Sequence, residues 1–450
     1  MNSDVSSAPK IDEVEKVRDD PDPQIEDAFF IRSGWTDITP KASLPLAGFC
    51  NRSSCYEDIN SPLEADIIIL QDASQRIILL SLDVLYVGGT LKESILSKSR
   101  GTIKENELFI WASHNHFAPS IDPDKPLIGI CDVQYIEYVA ERIATLIETL
   151  LRTTPKKVQL SYGASRDKNL VVNRRRKGLI LEKRSSLYIP HLGTKILPNK
   201  KQYRDGKITT ILLQDQESGQ PIALIWSFAC HPVSSPGKNT VRAEYPGEIR
   251  KMLRTHFQSE IPVVFLQGFS GDIRPPSLAK FPRKGGIKKK IEHVALKTIY
   301  GNYFDSFDET DWSNHILSLW NVMKSASRIE DRERLGSGLN TKTAELNLKD
   351  LGIAKDKKLK ICSIKIGKLR IISFSAEVVA EWERIITNIF PNDILIFTGC
   401  FEDVFGYIPT EEMILDGGYE VEGFMQTFNI SGKYEFGLEQ QIVNALNKLK

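Results

Sequence analysis

The chain has 450 residues, with 59 Lys plus Arg against 58 Asp plus Glu, so its formal net charge is +1. That balance excludes nucleic-acid binding through bulk positive charge, and 26% charged with 41% hydrophobic residues is an ordinary globular composition. Six cysteines without a CxxC pair exclude a zinc ribbon, a thioredoxin motif and a disulfide scaffold, although Cys50 and Cys55 are close enough to bridge in an oxidising compartment.

In chain order, residues 1–25 are rich in charge, Ser and Pro and read as a disordered lead-in. They carry no apolar h-region, so no secretory leader is expected. No run approaches the ~20 apolar residues of a transmembrane helix. A reduced, cytoplasmic protein follows as an expectation, with residues 26–450 forming one domain. The runs 66–71 and 76–87 flank the polar turn DASQ and predict a buried hairpin, and 107–113 predicts a further strand. Residues 132–151 place Ile136, Val139, Ile143 and Ile147 on one face of a helix. Strands are expected at 158–164, 208–214, 223–230 and 262–268, with a helix opening near Pro246 before the last of them. A second hairpin spans 361–375 around Gly367 and Lys368, followed by a helix over 377–389, a strand at 394–399 and a closing helix at 436–449. Hairpins mixed with helical crossovers predict an α/β fold with a mixed β-sheet and flanking helices, not a doubly wound parallel one. The basic, irregular segment 174–207 reads as an insertion or lid, or as disorder, and the basic cluster 283–290 as a solvated loop entering a helix or an attractor for acidic partners.

Polar residues just beyond apolar strands are the candidates for chemistry. His114 and His116 take two of the seven histidines and stand two apart after a strand, where extended backbone points both to one face. They suit a metal or a substrate carbonyl, or ordinary strand-end hydrogen bonds. His231 follows another strand and by itself reads as structural. Asp272 sits in the glycine-flanked turn GFSGDIRP, as a general base or as an Asx-turn. Glu377 opens the expected helix, where a carboxylate complements the helix N-terminus, and Tyr407 by default belongs to the core. Two His and a Glu are a hydrolytic zinc set, but separations of 117 and 146 residues leave convergence to the fold.

The order of these motifs resembles the neutral/alkaline non-lysosomal ceramidase family, in its catalytic domain. The likeness runs through GWTDITPKASLPLAGF, SLDVLYVGG, WASHNHFAPS, NRRR, SFACHPVSSP, AEYPGE, QGFSGDIRP, FSAEVVAEW and GYIPTEEMILDGGYE, over about residues 30–425. The resemblance implies one Zn²⁺ per chain held by His114, His231, Glu377 and Tyr407. It places His116 near the substrate carbonyl, Arg174 at the family's active-site arginine and Asp272 at the aspartate of its GD turn, with Asp272 expected to accept a proton from the attacking water. The reaction implied is zinc-dependent hydrolysis of an N-acyl bond in a small molecule, with a metal-activated water as nucleophile.

The chain departs from the family in three ways. GDIRPP stands where ceramidases carry GDVSPN, so Arg274 replaces a serine regarded as catalytic. Arginine offers no nucleophilic hydroxyl but binds carboxylate or phosphate well. No signal is expected before the domain, and the family's C-terminal immunoglobulin-like domain is not expected after it. The Glu377 site also reads FSAEV where the family prefers PGE. These departures favour a soluble or acidic N-acyl substrate over ceramide. A true ceramidase acting on N-acylsphingosine is the alternative, and a non-catalytic ligand-binding member of the family a third. An amidohydrolase barrel, which also uses HxH, lacks support from the hairpin-rich pattern.

Overall fold

The computed structural model describes residues 28–450 except 51, 185–186 and 283–285. The lead-in at 1–25 and the start of the basic cluster lie outside the described residues.

Strand alternation explains the layers. In the strand Glu64–Gln71, Ile67 and Ile69 face one way while Ile68 and Leu70 face the other, and all four are fully buried. A strand apolar on both faces must be covered on both sides. Among the described residues it lies in a nine-stranded mixed sheet. The antiparallel body pairs Phe29–Asp37 with both Glu64–Gln71 and Lys156–Arg166. At one end Arg76–Leu82 runs parallel to Leu108–Ala112, and at the other Pro221–Phe228 runs parallel to Val263–Gln267.

A second, four-stranded sheet orders Leu339–Asn347, Lys358–Ile366, Leu369–Phe374 and Ile394–Thr398. The two sheets pack face to face: Ile68, Leu70, Phe109, Trp111, Ile211 and Val264 meet Ile364, Ile366, Ile371 and Ile396. The outer face of the large sheet is covered in one half by Gly89–Lys98 and Val133–Leu151, and in the other by Glu244–Phe257 and Glu309–Ala326. The outer face of the small sheet is covered by Trp382–Ile389 and Leu438–Asn447. The layers therefore run helix, sheet, sheet, helix.

The hairpins at 64–82 and 358–374 form with the expected turns, and the helix Val133–Leu151 buries Ile136, Val139, Ile143 and Ile147 as its periodicity requires. Two local readings are corrected. Of the segment 174–207, expected to be irregular, Val172–Arg184 and Leu187–Asn199 form a long antiparallel hairpin. The helix expected over 377–389 begins only at Trp382; Glu377–Val378 is instead a short strand paired in parallel with Tyr407–Ile408. Cys50 and Cys55 are exposed and free. No helix among the described residues is long and apolar enough to cross a membrane.

Candidate metal centre

Six residues of the site stand just past the carboxyl end of a strand. Tyr86 follows Arg76–Leu82, His114 follows Leu108–Ala112, and His231 follows Pro221–Phe228. Asp272 follows Val263–Gln267, Glu377 follows Leu369–Phe374, and Cys400 follows Ile394–Thr398. Loop backbones lace these ends together: Ala112 N donates to Cys400 O at 3.0 Å, Gly271 N to Val378 O at 2.8 Å, and Gly399 N to Gln267 O at 2.9 Å. Both sheets thus deliver side chains to one place.

His114 has φ 62°, a left-handed backbone that costs a non-glycine residue roughly 1 kcal/mol or more. Its ring and that of His116 therefore meet through a kink rather than through strand alternation. His114 Nε2 lies 3.2 Å from Glu377 Oε2 and 3.4 Å from His116 Nε2, and His231 Nε2 lies 3.1 Å from the same Glu377 oxygen. The ligand atoms of His114, His116 and His231 all fall within 4.8 Å of one another. Tyr86 donates its hydroxyl to Glu377 Oε1. Tyr407 is placed by the strand pair, directly opposite Glu377.

The outer nitrogens set the tautomers. His231 Nδ1 is 3.0 Å from the Ile273 carbonyl and His114 Nδ1 is 3.4 Å from that of Leu85. A carbonyl only accepts, so each Nδ1 carries a proton; His231 Nε2 presents a lone pair inward, and His114 Nε2 does so once a cation takes the place of its own proton. The charges are strongly coupled. Burial and the flanking Arg174 push His231 down to about 4. Burial also opposes charge on His114, but Cys400 and Glu377 beside it raise it to about 10. Burial would raise Glu377, yet His114 and His231 hold it well below the usual carboxylate range. Burial, with Glu377 next to it, keeps the Tyr407 phenol well above its ordinary value.

Arg174 stands over the cluster. Its Nε donates to Glu420 Oε1 at 2.7 Å, its Nη1 to His231 Nε2 at 3.2 Å and its Nη2 to Tyr407 Oη at 3.3 Å. Asp272 is nearly inaccessible. Its Oδ2 accepts from Asn173 Nδ2 at 2.6 Å, its Oδ1 from Ala380 N at 2.8 Å, and its carbonyl from Arg174 N at 2.8 Å. Burial raises its carboxyl to about 6. Asp272 ties the Arg174 hairpin to the loop after Glu377, and it lines a separate polar cavity of about 480 Å³ with Arg175 and Thr410. Arg274 is half-buried, its guanidinium 4.6 Å from the Phe304 ring centre and its Nε without a hydrogen-bond partner. Burial and Arg174 lower it to about 10, and among the described residues no acid forms an ion pair with it.

The donors fit a zinc ion. Ligand atoms ~2.0–2.1 Å from a tetrahedral centre stand about 3.3 Å apart, and the separations here are 3.1, 3.2 and 3.4 Å. Glu377 Oε2 is buried without a hydrogen-bond partner, an expensive state for a carboxylate oxygen unless a cation shares it. The sequence reading missed Tyr86, Cys400 and Glu420. Tyr86 and Glu420 lay inside recognised stretches, but nothing in their local pattern marks them as partners of Glu377 and Arg174.

No family model and no curated protein matches the sequence. Solved structures do share the fold. The neutral ceramidase from Pseudomonas aeruginosa superposes with a TM-score of 0.66 over 93% of this chain and 74% of that one, at 13% identity. A second structure, described as a ceramidase complexed with C2, gives 0.68 over 94% of this chain and 74% of that chain, at 12% identity. The chain is thus a mixed α/β protein with a buried histidine–carboxylate cluster at converging strand ends. Its fold is that of neutral ceramidase, carried by a divergent sequence.

Proposed function

We propose that the chain is a zinc-dependent amide hydrolase acting on an N-acyl compound that carries an acidic group. One observation carries the reading: a buried carboxylate oxygen, Glu377 Oε2, has no hydrogen-bond partner and faces two inward imidazole nitrogens at 3.1 and 3.2 Å. His114, His231 and Glu377 would hold the ion, with Tyr407 or His116 completing the set. When bound, zinc supplies a nucleophilic water of pKa ~7 and polarises the amide carbonyl.

The chain's own groups do the rest. Tyr407, kept protonated, and Arg174 donate hydrogen bonds toward the oxygen that gains negative charge. His116 is the least buried of the three imidazoles; burial together with His114 and His231 keeps it neutral, and its Nδ1 has no partner. It is suited to take a proton during attack and return it to the leaving amine. The Asp272 oxygens are already engaged, so Asp272 is a positioning residue for Arg174 and the Glu377 loop. Arg274 receives a carboxylate or phosphate of the substrate. Cleavage of N-acylsphingosine is the second reading, favoured by the fold shared with the ceramidase structures.

The test is hydrolysis by zinc-loaded protein across short- and long-chain N-acyl compounds, with and without an anionic group. Amine release from the acidic compounds, about one zinc per chain, and loss of both activity and metal on chelation or in Glu377→Gln are expected. A Glu377→Gln protein that keeps its zinc and its turnover sinks the reading.

A further inference from the structure

The helix Ile287–Tyr300 buries none of its residues. At 100° per residue, Ile287, Ile291, Val294 and Thr298 fall within an arc of roughly 60°. The three aliphatic side chains of this stripe are 77%, 62% and 53% exposed. The half-buried His293, Leu296 and Tyr300 lie on the opposite side and attach the helix to the protein. Tyr300 Oη donates to the Leu179 carbonyl at 3.1 Å, and His293 Nδ1 is 2.7 Å from Tyr303 Oη. Lys288 flanks the apolar stripe on one side and Lys290 and Lys297 on the other, each roughly 70–90° from its centre. Lys289 adds a fourth cation, and Glu292 is the one acid of the helix.

The helix rises from a short stem. Ala279 N donates to Tyr303 O, Asp305 N donates to Ser277 O, and Leu278 bridges Phe304. The base of that stem holds Arg274 against Phe304, at the rim of the metal centre.

We propose that this helix docks the protein on an anionic lipid surface. A convex apolar stripe with lysines on both flanks matches the boundary between acyl chains and negatively charged headgroups. The charge complementarity is what selects lipid: lysines stand on both flanks, with Glu292 offsetting only the Lys288 side, whereas an apolar protein groove offers them no counter-charge. Docking brings the Arg274 rim close to the headgroups. The inference does not depend on what the centre hydrolyses.

Sedimentation of the full chain with vesicles tests it without turnover. Binding is expected to vesicles of phosphatidylcholine mixed with phosphatidylserine, to weaken as salt rises, and to be slight on phosphatidylcholine alone. Ile291→Asp with Val294→Asp is expected to abolish binding at an unchanged melting temperature. Lys288→Gln with Lys290→Gln is expected to weaken it roughly tenfold or more. Equal failure on both vesicle types overturns the proposal, as does binding indifferent to the aspartate pair. Concentration-dependent dimerisation abolished by that pair assigns the stripe to a second copy and overturns it too.

Discussion

Arg274 shows how one residue separates this centre from the motif its sequence resembles. A guanidinium stripped of part of its water, with Asp305 acting on it only at a distance and no acid in ion-pair contact among the described residues, is costly unless a ligand brings a closer counter-charge. Replacing it with the serine of the resembled motif removes that recognition. Arg274→Ser is expected to lower kcat/KM for acidic N-acyl compounds by roughly 10- to 100-fold, the worth of a charge-assisted hydrogen bond. Turnover of neutral short-acyl compounds should stay unchanged. The check is steady-state kinetics on matched acidic and neutral substrates. Equal losses on both assign Arg274 to structure.

At the scale of elements, the site depends on loops held by specific backbone geometry. Gly48 has φ +96°, and a Cβ there would stand 2.4 Å from His116 Nδ1. Gly48→Ala is therefore expected to push the His116 ring aside. Activity should fall at least tenfold while His114, His231 and Glu377 still retain zinc, measured by metal analysis beside kcat. Glu244 does comparable work on the His231 loop, accepting from Ser234 N and Ser235 N at 3.0 and 2.9 Å.

Much of this scaffold was legible. Strands with runs such as IIIL and ILLSL carry their own signal, and the glycine turn at 367 fixes its hairpin. The candidates His114, His231 and Glu377 were named from strand ends and motif order, and the fold brings them into contact. What local pattern did not carry was geometry set by distant partners. Glu377 lies in a two-residue strand because Tyr407 pairs with it, and no propensity over two residues expresses that. The 172–199 hairpin is polar and basic, so its pairing shows no apolar alternation. The turn around Asp272 did not reveal its partners, Asn173 and Ala380, which come from other parts of the chain.

Over the whole molecule, buried acids outside the histidine cluster link stability to pH. Burial and nearby Asp205 raise Glu383 to about 8 from an ordinary value of 4.5, with Tyr203 Oη donating to it at 3.1 Å. Burial likewise raises Glu244 to about 7. A carboxyl whose folded value is raised binds its proton more tightly in the native state. Its contribution is present in full below about pH 4.5 and is lost as pH rises through the folded value. Unfolding free energy should therefore fall between about pH 5 and 9. Glu383→Gln should recover roughly 2–4 kcal/mol at the alkaline end and little at the acid end. Urea unfolding at both ends is the measurement, and parallel curves for the two proteins refute the assignment.

The convergence of strand ends from two sheets also sets an order of events. A chain leaving the ribosome presents His114 and His231 well before Glu377 and Tyr407 exist. The first two imidazoles alone make a weak, open chelate for any passing divalent ion. Only after the second sheet has been synthesised and docked does the carboxylate arrive to close the cluster, so under the proposed function metal loading would belong to the last stage of maturation.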